Sequence, residues 1–125
     1  ADCVEVMPLG TDVREKFDRV IADVPCSNTG VMRRRVDLRW RLQPRDLQAT
    51  TKIQREILRQ AARNVKPGGL LVYSTCSLEP EENEQMVKAF LERNRAFGLE
   101  AERALLPWRD GVNGAYVAAL RLAPA

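Results

Sequence analysis

Two stretches, Val20-Ile21-Ala22-Asp23-Val24-Pro25-Cys26 and Leu70-Leu71-Val72-Tyr73-Ser74-Thr75-Cys76-Ser77, decide how this chain folds. Each opens as a short apolar run and then breaks into small or polar residues with a cysteine at the break. Apolar runs of this length, bounded by turn residues, read as buried parallel strands. The carboxyl ends of such strands open onto the ligand crevice of an open α/β sheet. If the two strands are neighbours, two thiols and the Asp23 carboxylate converge on one small volume.

Working outward, Phe17 to Asp23 reads as the first strand, after a loop over residues 1–16 punctuated by Pro8, Gly10 and Asp12. Pro25 to Arg45 reads as a long loop, and loops of that length inside a compact domain are usually functional. From Asp46 to Val65 the apolar residues Leu47, Ile53, Ile57, Leu58, Ala61, Ala62 and Val65 recur at helical spacing, with Asp46 placed to cap or charge the helix start. Lys66-Pro67-Gly68-Gly69 then predicts a helix stop and a turn, and Leu70 to Ser74 the second strand. Pro80 with Glu81 and Glu82 opens a second helix that buries Met86, Val87, Phe90 and Leu91 and ends near Asn94.

The acids between Glu79 and Glu84 read as compensation of the helix dipole in that first turn. They do not read as a metal site, because successive helical side chains face different directions. Strands around Leu99–Leu105 and Tyr116–Leu122, joined through a turn from Pro107 to Gly114, predict a closing antiparallel hairpin.

The order strand, helix, strand, helix, strand pair is that of the second half of a doubly wound α/β domain. No Gly-x-Gly loop follows a strand, and the one glycine pair, Gly68-Gly69, precedes one. Such a loop normally cradles a nucleotide or nucleoside cofactor. The 125 residues are therefore expected to form a partial domain that lacks its glycine-rich cofactor loop.

Composition narrows the chemistry. A hydrophobic content of 45% and a charged content of 30% suit an ordinary soluble domain. No apolar run approaches the roughly 20 residues of a membrane span. Three cysteines, two of them at strand ends, argue against a disulfide framework and for a reducing cytoplasm. The absence of histidine removes Cys-His and Ser-His-Asp catalysis and zinc sites of the Cys/His type. A reactive thiol here must be activated by cationic or dipolar surroundings, by a carboxylate, or by the substrate.

The net charge of +3 is uneven. Between Val31 and Lys66 eleven Lys and Arg face three acids, and Trp40 lies within that block. Arginine with an aromatic suits phosphate forks and base stacking.

Asp23-Val24-Pro25-Cys26-Ser27-Asn28-Thr29-Gly30 resembles the Pro-Cys motif of the RNA cytosine-5 methyltransferases, in particular the Sun-like type acting on bacterial 16S ribosomal RNA. The likeness continues through Arg39-Trp40, Gln54-Arg55-Glu56-Ile57-Leu58, Lys66-Pro67-Gly68-Gly69 and Tyr73-Ser74-Thr75-Cys76-Ser77 to Glu79-Pro80-Glu81-Glu82-Asn83-Glu84. A lone Pro-Cys is weak; Pro-Cys with Thr-Cys-Ser and the acidic run is specific.

The resemblance implies a Rossmann-like class I methyltransferase fold, S-adenosylmethionine as cofactor and RNA as partner, ribosomal RNA first and transfer RNA as the alternative. It implies neither a metal nor a membrane. It makes Cys76 the nucleophile toward cytosine carbon-6 and gives Cys26 a part in product release. Asp23 is placed at the base edge and beside the cofactor. Pro25 shapes the turn at the cofactor, or is a plain turn proline. Asp2 lies near the cofactor's adenine, or is an ordinary exposed acid. Arg33, Arg34, Arg35 and Arg39 are the phosphate candidates, with Trp40 either stacking on a base or in the core, and Cys3 is structural. Two rival readings remain: DNA cytosine-5 methylation, in which the Pro-Cys cysteine itself attacks, and a non-catalytic RNA-binding piece.

Overall fold

The computed structural model describes residues 16–26, 44–106, 110 and 114–125. Four strands, β1 (Phe17–Asp23), β2 (Val65–Thr75), β3 (Phe97–Leu105) and β4 (Ala115–Leu122), form one sheet in the order β1-β2-β4-β3. β1 and β2 are parallel neighbours, as expected of two strands linked through a helix, here α1 (Pro44–Ala62). A 3-10 turn (Pro80–Glu82) and α2 (Glu84–Arg93) follow β2. β3 and β4 form the expected antiparallel hairpin.

The hairpin docks by its second strand, so that β4 lies between β2 and β3 and pairs antiparallel with β2. Composition explains this choice. β4 alternates buried Tyr116, Ala118 and Leu120 with outward residues, whereas β3 exposes Glu100, Glu102 and Arg103 and suits an edge.

α1 starts at Pro44, two residues before the expected Asp46, because proline is preorganised for a first helical turn. The side chain of Asp46 lies outside what is described. Thr51, Gln54 and Leu58 form the buried stripe of α1. Ile53, which spacing had placed on that stripe, is instead exposed.

The helix ends at Ala62, not Val65. The Arg63 and Asn64 amides donate to the carbonyls of Gln60 (3.2 Å) and Ala61 (3.0 Å), and the Asn64 carbonyl accepts from the Phe17 amide (2.7 Å). Asn64 is thereby already tied to β1, and β2 begins at Val65. Lys66-Pro67-Gly68-Gly69, expected as a turn before the strand, is an irregular stretch inside β2. The pairing passes from Phe17↔Val65 to Arg19↔Leu70 across it. Gly68 has φ +80°, and a Cβ on Gly69 would stand 2.8 Å from both the Asp18 and Lys66 carbonyl oxygens. From the other side, Arg121 donates to the Gly68 carbonyl (3.0 Å) and forks onto Glu100 (3.1 and 3.0 Å).

The core lies under one face of the sheet. Ala22, Leu71, Tyr73, Tyr116, Ala118 and Leu120 from the strands meet Leu58 of α1 and Met86, Val87 and Phe90 of α2. Phe90 and Phe97 pack with centroids 5.3 Å apart. The opposite pleat positions are open: Ile21 is 73% exposed and Val117 40%. No described helix is long and apolar enough to cross a membrane.

Candidate active site

Parallel pairing puts the two cysteine motifs side by side. Asp23, the last residue of β1, pairs with Ser74, and the Val24 amide extends the ladder to the Ser74 carbonyl (3.1 Å). Cys26 follows three residues after Asp23 and Cys76 two after Ser74, so both leave adjacent strand ends in the same direction. Neither is in a disulfide; Cys76 is exposed and Cys26 half-buried. The Ser74 hydroxyl donates to Asp23 Oδ1 (3.0 Å), which orients the carboxylate at the lip of the crevice.

The row through Asp23 crosses the whole sheet: Asp23 pairs with Ser74, Ser74 with Val117, and Val117 with Arg103. Residues in one row share a face. A carboxylate, a hydroxyl, an apolar floor and a guanidinium are thereby aligned beside Cys76. They line an open cleft of about 670 Å³, a size common for small-molecule sites. No signal in the sequence pointed to Arg103 or Val117; only the strand order brings them here.

The rest of the construction lies beneath, on the helix-covered side, where the acidic run has a different part from the one expected. Glu82 is fully buried, and its carboxylate accepts from Ser77 Oγ (2.8 Å) and Gln54 Nε2 (2.7 Å). It therefore does not serve as an exposed first-turn acid; Glu84 opens α2 instead. The expectation failed because a carboxylate supplied with inward donors can be buried, and those donors come from distant residues.

Asn83 closes a ring around Cys76. Thr75 Oγ1 donates to Asn83 Oδ1 (2.6 Å), Asn83 Nδ2 donates to the Ser77 carbonyl (2.8 Å), and the Ser77 amide donates to Thr75 Oγ1 (3.1 Å). The Tyr73 hydroxyl donates to the Glu82 carbonyl (2.6 Å). Burial first, and then the Glu82 carboxylate and Cys26, push this phenol far above the ordinary tyrosine range. Burial and the bond to Glu102 do the same for Tyr116. Among the described residues no cluster of three or more Cys, Asp or Glu could hold a metal.

The structure thus brings together Cys26, Cys76, Asp23 and Pro25 of the residues singled out in the sequence. Asp2, Cys3, Arg33, Arg34, Arg35, Arg39 and Trp40 lie outside the described residues, as does most of the loop from Pro25 to Arg45. Gln54, Glu82 and Asn83 were missed as site residues, although the motifs that contain them had been noticed.

Known proteins resemble this chain in sequence and in fold. A "Ribosomal RNA small subunit methyltransferase B" of Vibrio cholerae is 46% identical over 112 residues, covering 85% of this chain and 26% of the relative. The solved structure of NSun6 from Pyrococcus horikoshii with SFG superposes with a TM-score of 0.79 at 28% identity, covering 90% of this chain and 32% of that one. A methyltransferase homologue from Pyrococcus horikoshii superposes at 0.72 with 27% identity, over 86% of this chain and 40% of that one. The chain spans about a quarter of the length of the Vibrio relative. These neighbours share a Rossmann-like class I methyltransferase fold, of which the sheet described above is a part. Residues 3–121 match the family described as "16S rRNA methyltransferase RsmB/F", and the chain belongs to that family.

Proposed function

We propose that the protein carrying this chain methylates carbon-5 of a cytosine in ribosomal RNA through a covalent cysteine adduct. The observation that supports it best is the pair of cysteines, neither in a disulfide, on adjacent parallel strand ends, with Cys76 exposed in the cleft that Asp23 borders. Carbon-5 of cytosine is a weak nucleophile. Addition of the Cys76 thiolate to carbon-6 forms the Sγ–C6 bond and moves the ring's electron pair toward carbon-5. That atom then accepts the methyl group. Loss of the carbon-5 proton returns electrons to the ring and expels Cys76. Cys26, at the neighbouring strand end, serves that release.

S-adenosylmethionine, when bound, would supply an electrophilic sulfonium methyl group, whose S–CH3 bond breaks with the electron pair kept by sulfur as a neutral thioether. The exposed Asp23 carboxylate and the Pro25 turn fit the edge of such a ligand's site, with Asp2 a further candidate outside the described residues. The change of charge at the cytosine N3/N4 edge as the ring is attacked is met by Asp23, which its bond from Ser74 orients. The target base must leave its stack to reach Cys76, and the arginines between Arg33 and Arg39 are assigned to flanking phosphates. The 125 residues form one partial methyltransferase domain and are inactive in isolation.

The test is replacement of each cysteine in the full-length protein. Cys76→Ala should abolish both methylation and the protein–RNA adduct, while Cys26→Ala should let the adduct accumulate. The reverse pattern would sink this assignment in favour of attack by the Pro-Cys cysteine.

A further inference from the structure

Gln54 lies on α1, away from either cysteine in sequence, yet it bonds to the turn of Cys26 and to Glu82, which in turn bonds to the neighbour of Cys76. It is fully buried, and its Nε2 donates to the Pro25 carbonyl (2.9 Å) and to Glu82 Oε2 (2.7 Å). An amide nitrogen carries two hydrogens, and here each has one acceptor. Neither partner can donate, so the group between them must be the NH2 and not the carbonyl oxygen. Gln54 Oε1 is the single buried side-chain oxygen or nitrogen without a hydrogen-bond partner among the described residues. Its orientation is therefore set by the two donations alone.

The other Glu82 oxygen accepts from Ser77, the neighbour of Cys76, whose hydroxyl also receives the Glu79 amide (2.9 Å). A continuous chain of hydrogen bonds thus runs from the backbone beside Cys26, through Gln54 and Glu82, to the backbone beside Cys76. Every side chain in it is buried. Buried and hydrogen-bonded groups of this kind hold geometry tightly, because each one released is left without a partner.

We propose that Gln54 and Glu82 are positioning residues that fix the Cys26 turn against the Cys76 turn, so that loss of the Gln54 bridge impairs the step served by Cys26 and spares the attack by Cys76. The proposal rests on the roles assigned above to the two cysteines. The asymmetry follows from the bonding. Cys76 is held independently by the ring of Thr75, Asn83 and Ser77. The Pro25 carbonyl, by contrast, takes its side-chain donor from Gln54.

The experiment uses the full-length protein with Gln54→Met, which keeps the length of the side chain and removes both donors. RNA bearing the target cytosine should become trapped as a covalent complex, as in Cys26→Ala. Release should slow by about tenfold to a hundredfold, the usual cost of a small misplacement of a reacting group, with adduct formation unchanged. Glu82→Met is the second variant. It keeps the length of the side chain and removes the acceptors of both Gln54 and Ser77. The bridge between the two turns is then broken at its middle, and the same release defect is expected.

Alkylation by iodoacetamide, followed for each cysteine by peptide mass spectrometry, gives a readout independent of the reaction. Its rate should change at Cys26 and hold at Cys76 in Gln54→Met. If attack and release fall together, in step with a lower melting temperature, or if both variants fail to fold, the pair is merely structural and the proposal is overturned. Normal release by Gln54→Met, where Cys26→Ala traps the adduct, overturns it as well. If Cys26→Ala itself traps no adduct, the roles of the cysteines are wrong, and the alkylation rates then decide the positioning claim alone.

Discussion

Asn83→Ala should loosen the end of β2 far more than an exposed change would. The side chain supplies the acceptor for Thr75 Oγ1 and the donor for the Ser77 carbonyl, and all three residues are buried. Truncation leaves the Thr75 hydroxyl proton without its acceptor and takes from the Ser77 carbonyl its Asn83 donor. Each of these losses costs about 1–3 kcal/mol, so the sum is roughly 2–6 kcal/mol if water does not reach the two groups. Hydrogen exchange on peptides covering Leu71 to Leu78 of the full-length protein reads this directly. Since about 1.4 kcal/mol is a tenfold change in an equilibrium, exchange of these amides should speed up by about thirtyfold or more.

Asn83→Asp is the sharper control. One carboxylate oxygen still accepts from Thr75, but the other now opposes the Ser77 carbonyl. Protonation of that oxygen would turn it into a donor and restore the bond, so the folded protein should hold the proton more tightly than the unfolded chain does. The stabilisation is then present at low pH and lost as pH rises through the raised value. Unchanged exchange in Asn83→Ala, together with a pH-independent Asn83→Asp, would refute the claim that this ring holds the Cys76 turn.

Two further outcomes are expected. Burial raises the phenols of Tyr73 and Tyr116 above their ordinary value near 10, so their contribution to stability is complete below that pH and is lost as the medium becomes more alkaline. Tyrosinate absorbance from Tyr73, isolated as the difference between wild type and Tyr73→Phe, should therefore appear only with unfolding; its appearance in the folded protein would contradict the burial argument. Gly69→Ala should cost about 1–3 kcal/mol by overpacking, because its Cβ would press on the backbone oxygens of Asp18 and Lys66 and on Val65 Cγ1. A wild-type melting temperature for Gly69→Ala would show that the β1–β2 approach yields more easily than its geometry implies.

The strand from Phe17 to Asp23, the parallel neighbour after it and the hairpin were legible because each depends on local apolar runs and turn residues. The placement of the two cysteines was legible for the same reason, since a parallel pair fixes where both strand ends point. The boundary between α1 and β2 was misread, because Lys66-Pro67-Gly68-Gly69 has the composition of a turn. Only contact with Asp18 and Arg121 shows that it travels within the sheet. Glu82 was misread for a related reason. An acid after Pro80 is a good first-turn residue by local rules, and its burial depends on Gln54, 28 residues away. Arg103 joined the site through strand order, which no local pattern encodes.

These misreadings share a physical cause that bears on how the site works. β2 is two-sided at its end. Thr75 and Ser77 turn inward and are gripped by Asn83 and Glu82, while Ser74 and Cys76, at the alternating positions, face the cleft. In the proposed reaction the Cys76 thiol adds to a base and later leaves it, which needs room on its own side, so rigidity has to be supplied from the other side of the strand. The start of α2 does this, with a carboxylate and an amide buried where an ordinary helix start would expose them. Gln54 extends the same grip to the turn of Cys26. The residues that hold the two cysteine turns therefore lie under the sheet, while those proposed to meet the substrate lie on top of it. A substitution beneath can disable the chemistry without touching any group that the RNA would contact.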